Sequence, residues 1–277
     1  MTKKAQYGLL LVAPAFALLF LVYIYPLVFN VDLSLSRWIL GRVDKYYIGL
    51  GNYELHFSDP LFYRVLANTF FFTAVSVPLE FFIGLGLALL LSKAIKGRSI
   101  FLAVLLLPMM IAPVIVGLAW RWLYAWDYGA LNPILGMLGV GPIAWLGDPS
   151  IAMYSVIIAD AWCTIPFMIL FAFSGIQMIP NERYEAARVN GASSWQMFKY
   201  VTFPSIKGIL SMALIIRAMD AFTKLFDVAY VLTGGGPGYA TEVLPIYTYR
   251  IGLKFFRLGS GAVVGLITLF CAAIMIM

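Results

Sequence analysis

The sequence predicts an all-α membrane protein with six transmembrane helices, and three observations carry that prediction. The first is composition: 62% of the 277 residues are hydrophobic, only 12% are charged, and the mean hydropathy is +0.92. A soluble domain carries about 25% charged residues. A core of this size has no use for so much apolar surface, so the excess faces lipid. The second is segmentation. A hydrocarbon layer about 30 Å thick is crossed by roughly 20 apolar residues in a helix. Six stretches meet that length: Gly8–Phe29, Val65–Ser92, Ile100–Leu123, Ile151–Met178, Gly208–Leu232 and Leu258–Met277. The third is periodicity. Barrel strands would show about ten residues of alternating polarity, and nothing here alternates. The chain reads as one transmembrane domain over residues 1–277.

The first stretch follows Lys3 and Lys4, as a signal peptide would. Its apolar run is too long for one and no small-residue cleavage site follows, so it is expected to be a retained span. With the N-terminus in the cytoplasm, the inner connections hold Lys3, Lys4, Lys93, Lys96, Arg98, Arg183, Arg188, Lys199 and Lys207. The outer flanks hold a similar number of basic residues in about twice the length, so the positive-inside rule favours this orientation. The outer connections are rich in Trp38, Tyr46, Tyr47, Trp126 and Trp145, with Pro142 and Pro149. Such rings suit the headgroup level, and interfacial anchoring is the simpler expectation against docking of an external partner. Gly234-Gly235-Gly236-Pro237-Gly238 cannot continue a helix and lacks the Gly-Lys-Ser/Thr ending of a phosphate loop; it is expected to be a turn closing the fifth span. In the last span, Gly261 and Gly265 are spaced for close helix packing.

Several chemistries are excluded. The 19 basic residues are scattered with no stripe or aromatic interleaving, which argues against nucleic acid. Cys163 and Cys271 both lie in apolar stretches, so no disulfide framework is implied. His56 is the one histidine and has no second to share a metal. No His-Glu-x-x-His string and no serine beside a base points to catalysis. No catalytic or metal-binding residue is therefore assigned.

The long connection Ile179–Lys207 is more organised than a simple link between spans four and five. Pro180 and Asn181 can open a helix with Asn181 as cap, and Glu182–Val189 favours helix. Gly191 suits the left-handed residue that ends it. Ser193 with Gln196 forms a capping box that starts a second helix, and Pro204 is expected to close that helix before the fifth span. The result is a cytoplasmic helix–turn–helix, with a hairpin lying on lipid as the alternative.

This segment also resembles a known family. Glu185-Ala186-Ala187, three residues, Gly191, nine residues, and Val201-x-Phe203-Pro204 is similar to the signature of ABC importer permeases. Val201 and Phe203 stand where the pattern has Ile and Leu, and Asn190 where it has Asp, which removes one acidic contact. Further strings resemble the sugar-permease branch: Tyr47-Ile48-Gly49-Leu50-Gly51-Asn52-Tyr53, Asn68-Thr69, Asp160-x-Trp162 followed by Pro166-Phe167, and Phe226-Asp227 followed by Leu232-Thr233-Gly234-Gly235-Gly236-Pro237-Gly238. The resemblance covers nearly the whole chain. It implies a type I ABC importer permease bundle and a non-catalytic subunit for alternating-access import of a sugar, a disaccharide or oligosaccharide. It implies a second related permease, two ATP-binding subunits that carry ATP and Mg, and an extracytoplasmic binding protein. It implies ATPase coupling through Glu185, Ala186, Ala187, Gly191 and Pro204. This chain itself is expected to hold no cofactor.

Ionisable residues inside a span cost about 2.5–3.5 kcal/mol on insertion scales and default to functional candidates. They are Glu80, Asp160, Arg217, Asp220, Lys224 and Asp227. At about 100° per residue the last four fall within one sector of roughly 80° with alternating signs. Such a stripe faces a partner helix or a watery route, and the residues alone leave both open. The resemblance implies the route, lined by Thr164, Phe167, Arg217, Asp220 and Lys224, with Glu80 and Asp160 structural. Two other classes compete. A self-sufficient carrier or channel predicts inverted repeats and interrupted helices, and leaves the helix–turn–helix unexplained. A glycerol-phosphate importer would use Arg217 and Lys224 but be opposed by Asp220 and Asp227.

Overall fold

The computed structural model describes residues 12–41, 44–93 and 96–276. Lys3, Lys4, Arg42, Met277 and the first four residues of the expected first span lie outside them. Among the described residues, five helices are long and apolar enough to cross a membrane, and a bent pair makes a sixth span. The chain divides into two compact units, one comprising Met1–Tyr63 with Tyr247–Phe270, the other Arg64–Ile246 with Cys271–Met277.

The first unit begins with α1 (Val12–Ser34), which runs five residues beyond the expected end of span one at Phe29. Asn30 and Asp32 look like the end of an apolar run, yet Asp32 is ion-paired with Lys45 and the helix continues past both. A minimal hairpin follows, β1 (Ser36–Arg37) antiparallel to β2 (Tyr46–Tyr47), pairing Ser36 with Tyr47. Next comes α2 (Gly51–Phe57). The unpaired carbonyls at a helix C-terminus need donors. The Asn52 side-chain amide supplies one, donating to the Ser34 carbonyl at the end of α1, and it also donates to the Ser36 carbonyl of β1, each at 2.9 Å. The last span is α12 (Leu258–Ile276). A Cβ on Gly259 would lie 1.9 Å from the Ser36 carbonyl oxygen, and one on Gly261 2.7 Å from the Gly252 Cα, so both glycines are required for close backbone approach.

The second unit holds most of α3 (Pro60–Ser92), which starts five residues before the expected Val65. Pro60 pre-sets the first turn and the Asp59 carboxylate accepts from the Leu61 amide at 2.9 Å, an N-terminal signal outside the apolar run. Span three is not one helix. It is α4 (Arg98–Met110) and α5 (Pro113–Leu123), bent by 97°. Ile111 and Ala112 are extended between them, because Pro108 and Pro113 remove two backbone donors within six residues. The short α6 (Leu131–Met137) leads to span four, α7 (Ala152–Gln177). Trp145 is half-buried: its Nε1 donates to Asn132 at 3.0 Å and its ring packs 5.2 Å from Tyr124.

The connection to span five folds as a helix–turn–helix. Helix α8 (Asn181–Val189) is preceded by Pro180, so Asn181 is its first residue and not its cap. The second helix corrects a larger expectation. It does not stop at Pro204 but runs unbroken as α9 (Ser194–Thr223) through span five. A π-turn at Phe198–Thr202 carries it past the proline, with the Phe203 amide reaching back to the Phe198 carbonyl. Span five then breaks at Lys224 and resumes as α10 (Phe226–Thr233), which ends at left-handed Gly234 as the glycine-rich string requires. Asn68 holds this turn by donating to the carbonyls of Tyr239 and Glu242, each at 2.9 Å. The final helix of the unit, α11 (Leu244–Tyr249), starts where the Leu244 amide donates to Thr69 Oγ1.

Phe72, Val156, Ala159, Ala221, Ala229 and Val243 form the buried centre where α3, α7, α9 and α10 meet. The small residues let helix backbones approach. At Gly84 an added Cβ would sit 2.4 Å from Met168 Cβ, whereas at exposed Gly86 nothing lies within 4 Å. Gly84→Val is therefore expected to destabilise the purified protein by about 1–3 kcal/mol through overpacking. Gly86→Ala is expected to hold or raise its melting temperature. Thermal unfolding of the two variants checks the pair.

Candidate functional site

Five of the six intramembrane charges form two groups with different surroundings. Arg217, on α9, is 4% exposed. Its Nε donates to Glu80 Oε2 at 2.5 Å and its Nη2 to Glu80 Oε1 at 2.8 Å, a two-pronged fork from span five to span two. The same Nη2 is ion-paired with Asp160 on span four. Glu80 is fully buried and Asp160 is 7% exposed. One guanidinium thus joins three spans. Its planar array of donors suits the task where a lysine's single nitrogen could not form the fork. The second group is Asp220 and Lys224, paired at 2.7 Å one turn apart, with side chains 39% and 73% exposed. Asp227 lies in the first turn of α10, half-buried.

The expected single stripe is therefore divided by two physical facts. Arg217 turns inward to acids on other spans, and the helix ends at Lys224, so Asp227 belongs to a new axis. The structure brings Arg217 together with Glu80 and Asp160, and Asp220 together with Lys224; it forms no Arg217–Asp220 ion pair among its contacts. Thr164 and Phe167 follow Asp160 on α7, both half-buried. Thr164 Oγ1 donates back to the Asp160 carbonyl at 2.8 Å, and Phe167 packs on Phe171 with centroids 4.6 Å apart.

The helix–turn–helix has its own defined geometry. Gly191 has φ +75°, and its amide donates to the Arg188 carbonyl while Ala192 donates to Ala187. Ser193 and Gln196 complete a reciprocal capping box: the Gln196 amide reaches Ser193 Oγ at 3.3 Å and the Ser193 amide reaches Gln196 Oε1 at 2.7 Å. Glu185, Ala186 and Ala187 lie along α8, and Val189 near its end is 89% exposed. Between α8, the start of α9 and the adjoining ends of α3 and α7 lies a cavity of about 1350 Å³, rimmed by Lys93, Glu182, Glu185 and Arg188 and floored by Leu85, Leu89 and Ile176.

An integral membrane subunit with buried interspan charges and a structured projection between spans four and five is a transport component rather than an anchor. Residues 62–277 match the family of binding-protein-dependent transport system inner membrane components, and the chain belongs to that family. It is similar to the trehalose/maltose transport system permease protein MalF of Thermococcus litoralis, 37% identical over 269 residues, covering 96% of this chain and 90% of that one. It is similar to the trehalose transport system permease protein SugA of Mycobacterium tuberculosis, 36% identical over 272 residues, covering 98% and 86%. Its fold matches a crystal structure of a bacterial ABC transporter that imports the acidic polysaccharide alginate, with TM-score 0.84, 22% identity and coverage of 99% and 96%. The fold is that of a type I ABC importer permease.

The two charge groups predict opposite responses. Arg217→Gln leaves two buried carboxylates without their cation, and removing one partner of a buried pair costs about 3–5 kcal/mol. Little folded protein should reach the membrane. Asp220→Asn alters a half-exposed pair worth at most about 1 kcal/mol to folding, so the amount inserted should stay near wild type. Quantifying folded protein in membranes for both variants checks the division.

Proposed function

We infer that this chain is a membrane subunit of a sugar importer, forming half of its translocation route. One observation carries the reading: α9 is a single helix from the capping box at Ser193 to the break at Lys224. At 1.5 Å per residue its 30 residues make a rod about 45 Å long. A push at the Glu185–Pro204 segment is delivered along that rod to Asp220 and Lys224, and the Arg217 triad ties α3 and α7 to the same motion. The sugar-permease relatives support the class of cargo, a disaccharide or oligosaccharide. A sugar offers hydroxyls that donate to Asp220 and accept from Lys224, with Thr164 and Phe167 completing the route. A phosphorylated cargo loses support, since Arg217 is already shared between two acids and Lys224 is balanced by Asp220.

The rest of the reading concerns partners. The chain works beside a second related permease, receives cargo from an extracytoplasmic binding protein, and has its N-terminus in the cytoplasm. ATP and Mg are held by two partner subunits, and this chain is non-catalytic. The Glu185–Gly191 projection, ending in a fixed left-handed turn, suits docking into a groove of an ATPase. ATP-driven closure of the two ATPases then rocks the bundle from inward-open to outward-open.

Two measurements test this. Asp220→Asn removes a charged acceptor for a sugar hydroxyl, an interaction of about 1.5–3 kcal/mol. Radiolabelled oligosaccharide uptake by the reconstituted complex should fall by roughly tenfold to a hundredfold with assembly intact; unchanged uptake would remove Asp220 from the route. Gly191→Val places a branched Cβ at φ +75°, a conformation such residues reject. The spans should still insert while co-purification of the ATPase is lost. Normal co-purification and normal coupled hydrolysis in that variant would remove the projection from the docking surface.

A further inference from the structure

We propose that His56 is an acid-sensitive latch that fastens the loop helix α2 to the start of the last span α12, and that acidification of the medium bathing that loop releases it. Asn52 and His56 are one turn apart on the buried face of α2. Asn52 fastens the end of α1. His56, 2% exposed, fastens α12: its Nε2 lies 3.2 Å from the Ser260 carbonyl oxygen and 3.1 Å from Ser260 Oγ. A carbonyl only accepts, so Nε2 carries the hydrogen and the neutral ring leaves Nδ1 bare. The ring is packed against Phe62 and Tyr247, with centroids 5.8 and 5.9 Å away. Solvent reaches the neighbourhood through a cavity of about 660 Å³ lined by Glu54, Asp59, Tyr247 and Arg257 beside His56 and Ser260.

Protonation adds a hydrogen at Nδ1 and a charge to this enclosed ring. The charged and titratable groups around it are Glu54 and Asp59 from the α2 side, Tyr247 from the end of α11, and Arg257 ahead of α12. Asp59 favours the cation, as does the Ser260 carbonyl, but burial outweighs both and holds the His56 pKa below its ordinary value. The sign follows. The released ring takes up a proton more readily than the latched one. Latching is at full strength above about pH 6.5, the free value, and weakens as pH falls below it. The compartment whose acidity is read rests on the cytoplasmic placement of the N-terminus, which puts this loop outside; the latch itself does not.

Hydrogen–deuterium exchange of residues 51–57 in the purified full-length chain tests the latch independently of orientation. Labelling times at pH 7.5 and pH 5.5 are scaled for intrinsic exchange. Wild type should lose protection at pH 5.5, by up to about tenfold for each pH unit between the free value and the lower latched one. His56→Gln keeps an amide donor for the Ser260 carbonyl but cannot titrate, and should show no such loss. Asp59→Asn keeps the oxygen that caps Leu61 but withdraws support for the cation, and should lose more protection than wild type at pH 5.5. Equal protection of wild type at both pH values, or the same acid loss in His56→Gln, would overturn the proposal. If His56→Gln does not accumulate, an acid loss in Asp59→Asn no greater than in wild type overturns it.

Discussion

Two carboxylates and one guanidinium share a site among three membrane spans, and much of the second unit is organised around it. A buried ion pair contributes little net stability compared with well-packed apolar groups, but an unpaired buried charge is strongly disfavoured. That asymmetry makes the triad a constraint on geometry. Arg217 holds Glu80 with a fork and Asp160 with a shared nitrogen. If α3, α7 or α9 slid by a turn, at least one of these groups would lose its partner where water is scarce. The close approach at Gly84 and the small residues Ala159 and Ala221 hold the same three helices at short range. Apolar packing brings the spans together; the charges fix their register.

With that register fixed, the uninterrupted α9 gains a mechanical meaning. A lever transmits motion only if it does not bend between its ends. Two breaks in the helical spans lie elsewhere: the extended Ile111–Ala112 link in span three and the end of α9 at Lys224 in span five. Backbone freed by such breaks is tolerated at membrane depth where protein or a watery cavity satisfies it. The short segments beyond the breaks, α5 and α10, pack on each other closely enough that a Cβ on Gly117 would come within 2.9 Å of Val231. Asp220 and Lys224, the exposed pair, sit at the junction between the stiff lever and this pair of short helices.

The spans were legible in the sequence because lipid selects long apolar runs, and the helix–turn–helix because Gly191 and the Ser193–Gln196 box are local signals with local causes. What escaped were boundaries and partners. The ends of α1 and α3 lie beyond their apolar runs, held by Lys45 and by the Asp59–Pro60 start. The 97° bend of span three was signalled by Pro108 and Pro113, which hydropathy ignores. Pro204 reads as a stop because proline removes a donor, but a π-turn at Phe198–Thr202 carries the helix past it. Periodicity gathered Arg217, Asp220 and Lys224 onto one face, yet it compares residues only with their own helix. The partners of Arg217 lie 137 and 57 residues away. Charge neutrality could have found them: Glu80 and Asp160 are acids with no base within their own apolar runs, Val65–Ser92 and Ile151–Met178, and Arg217 is a base within another.

The central claim is that the triad makes α3, α7 and α9 one moving body. Spin labels at Phe71 on α3 and Tyr200 on α9, both exposed, would report on it in the assembled importer by pulsed electron–electron resonance. The account predicts that trapping ATP leaves this distance unchanged within the 1–2 Å or so of ordinary helix shear. A displacement of about one helical turn, roughly 5.4 Å, would show that the spans slide past one another and that the triad does not hold them.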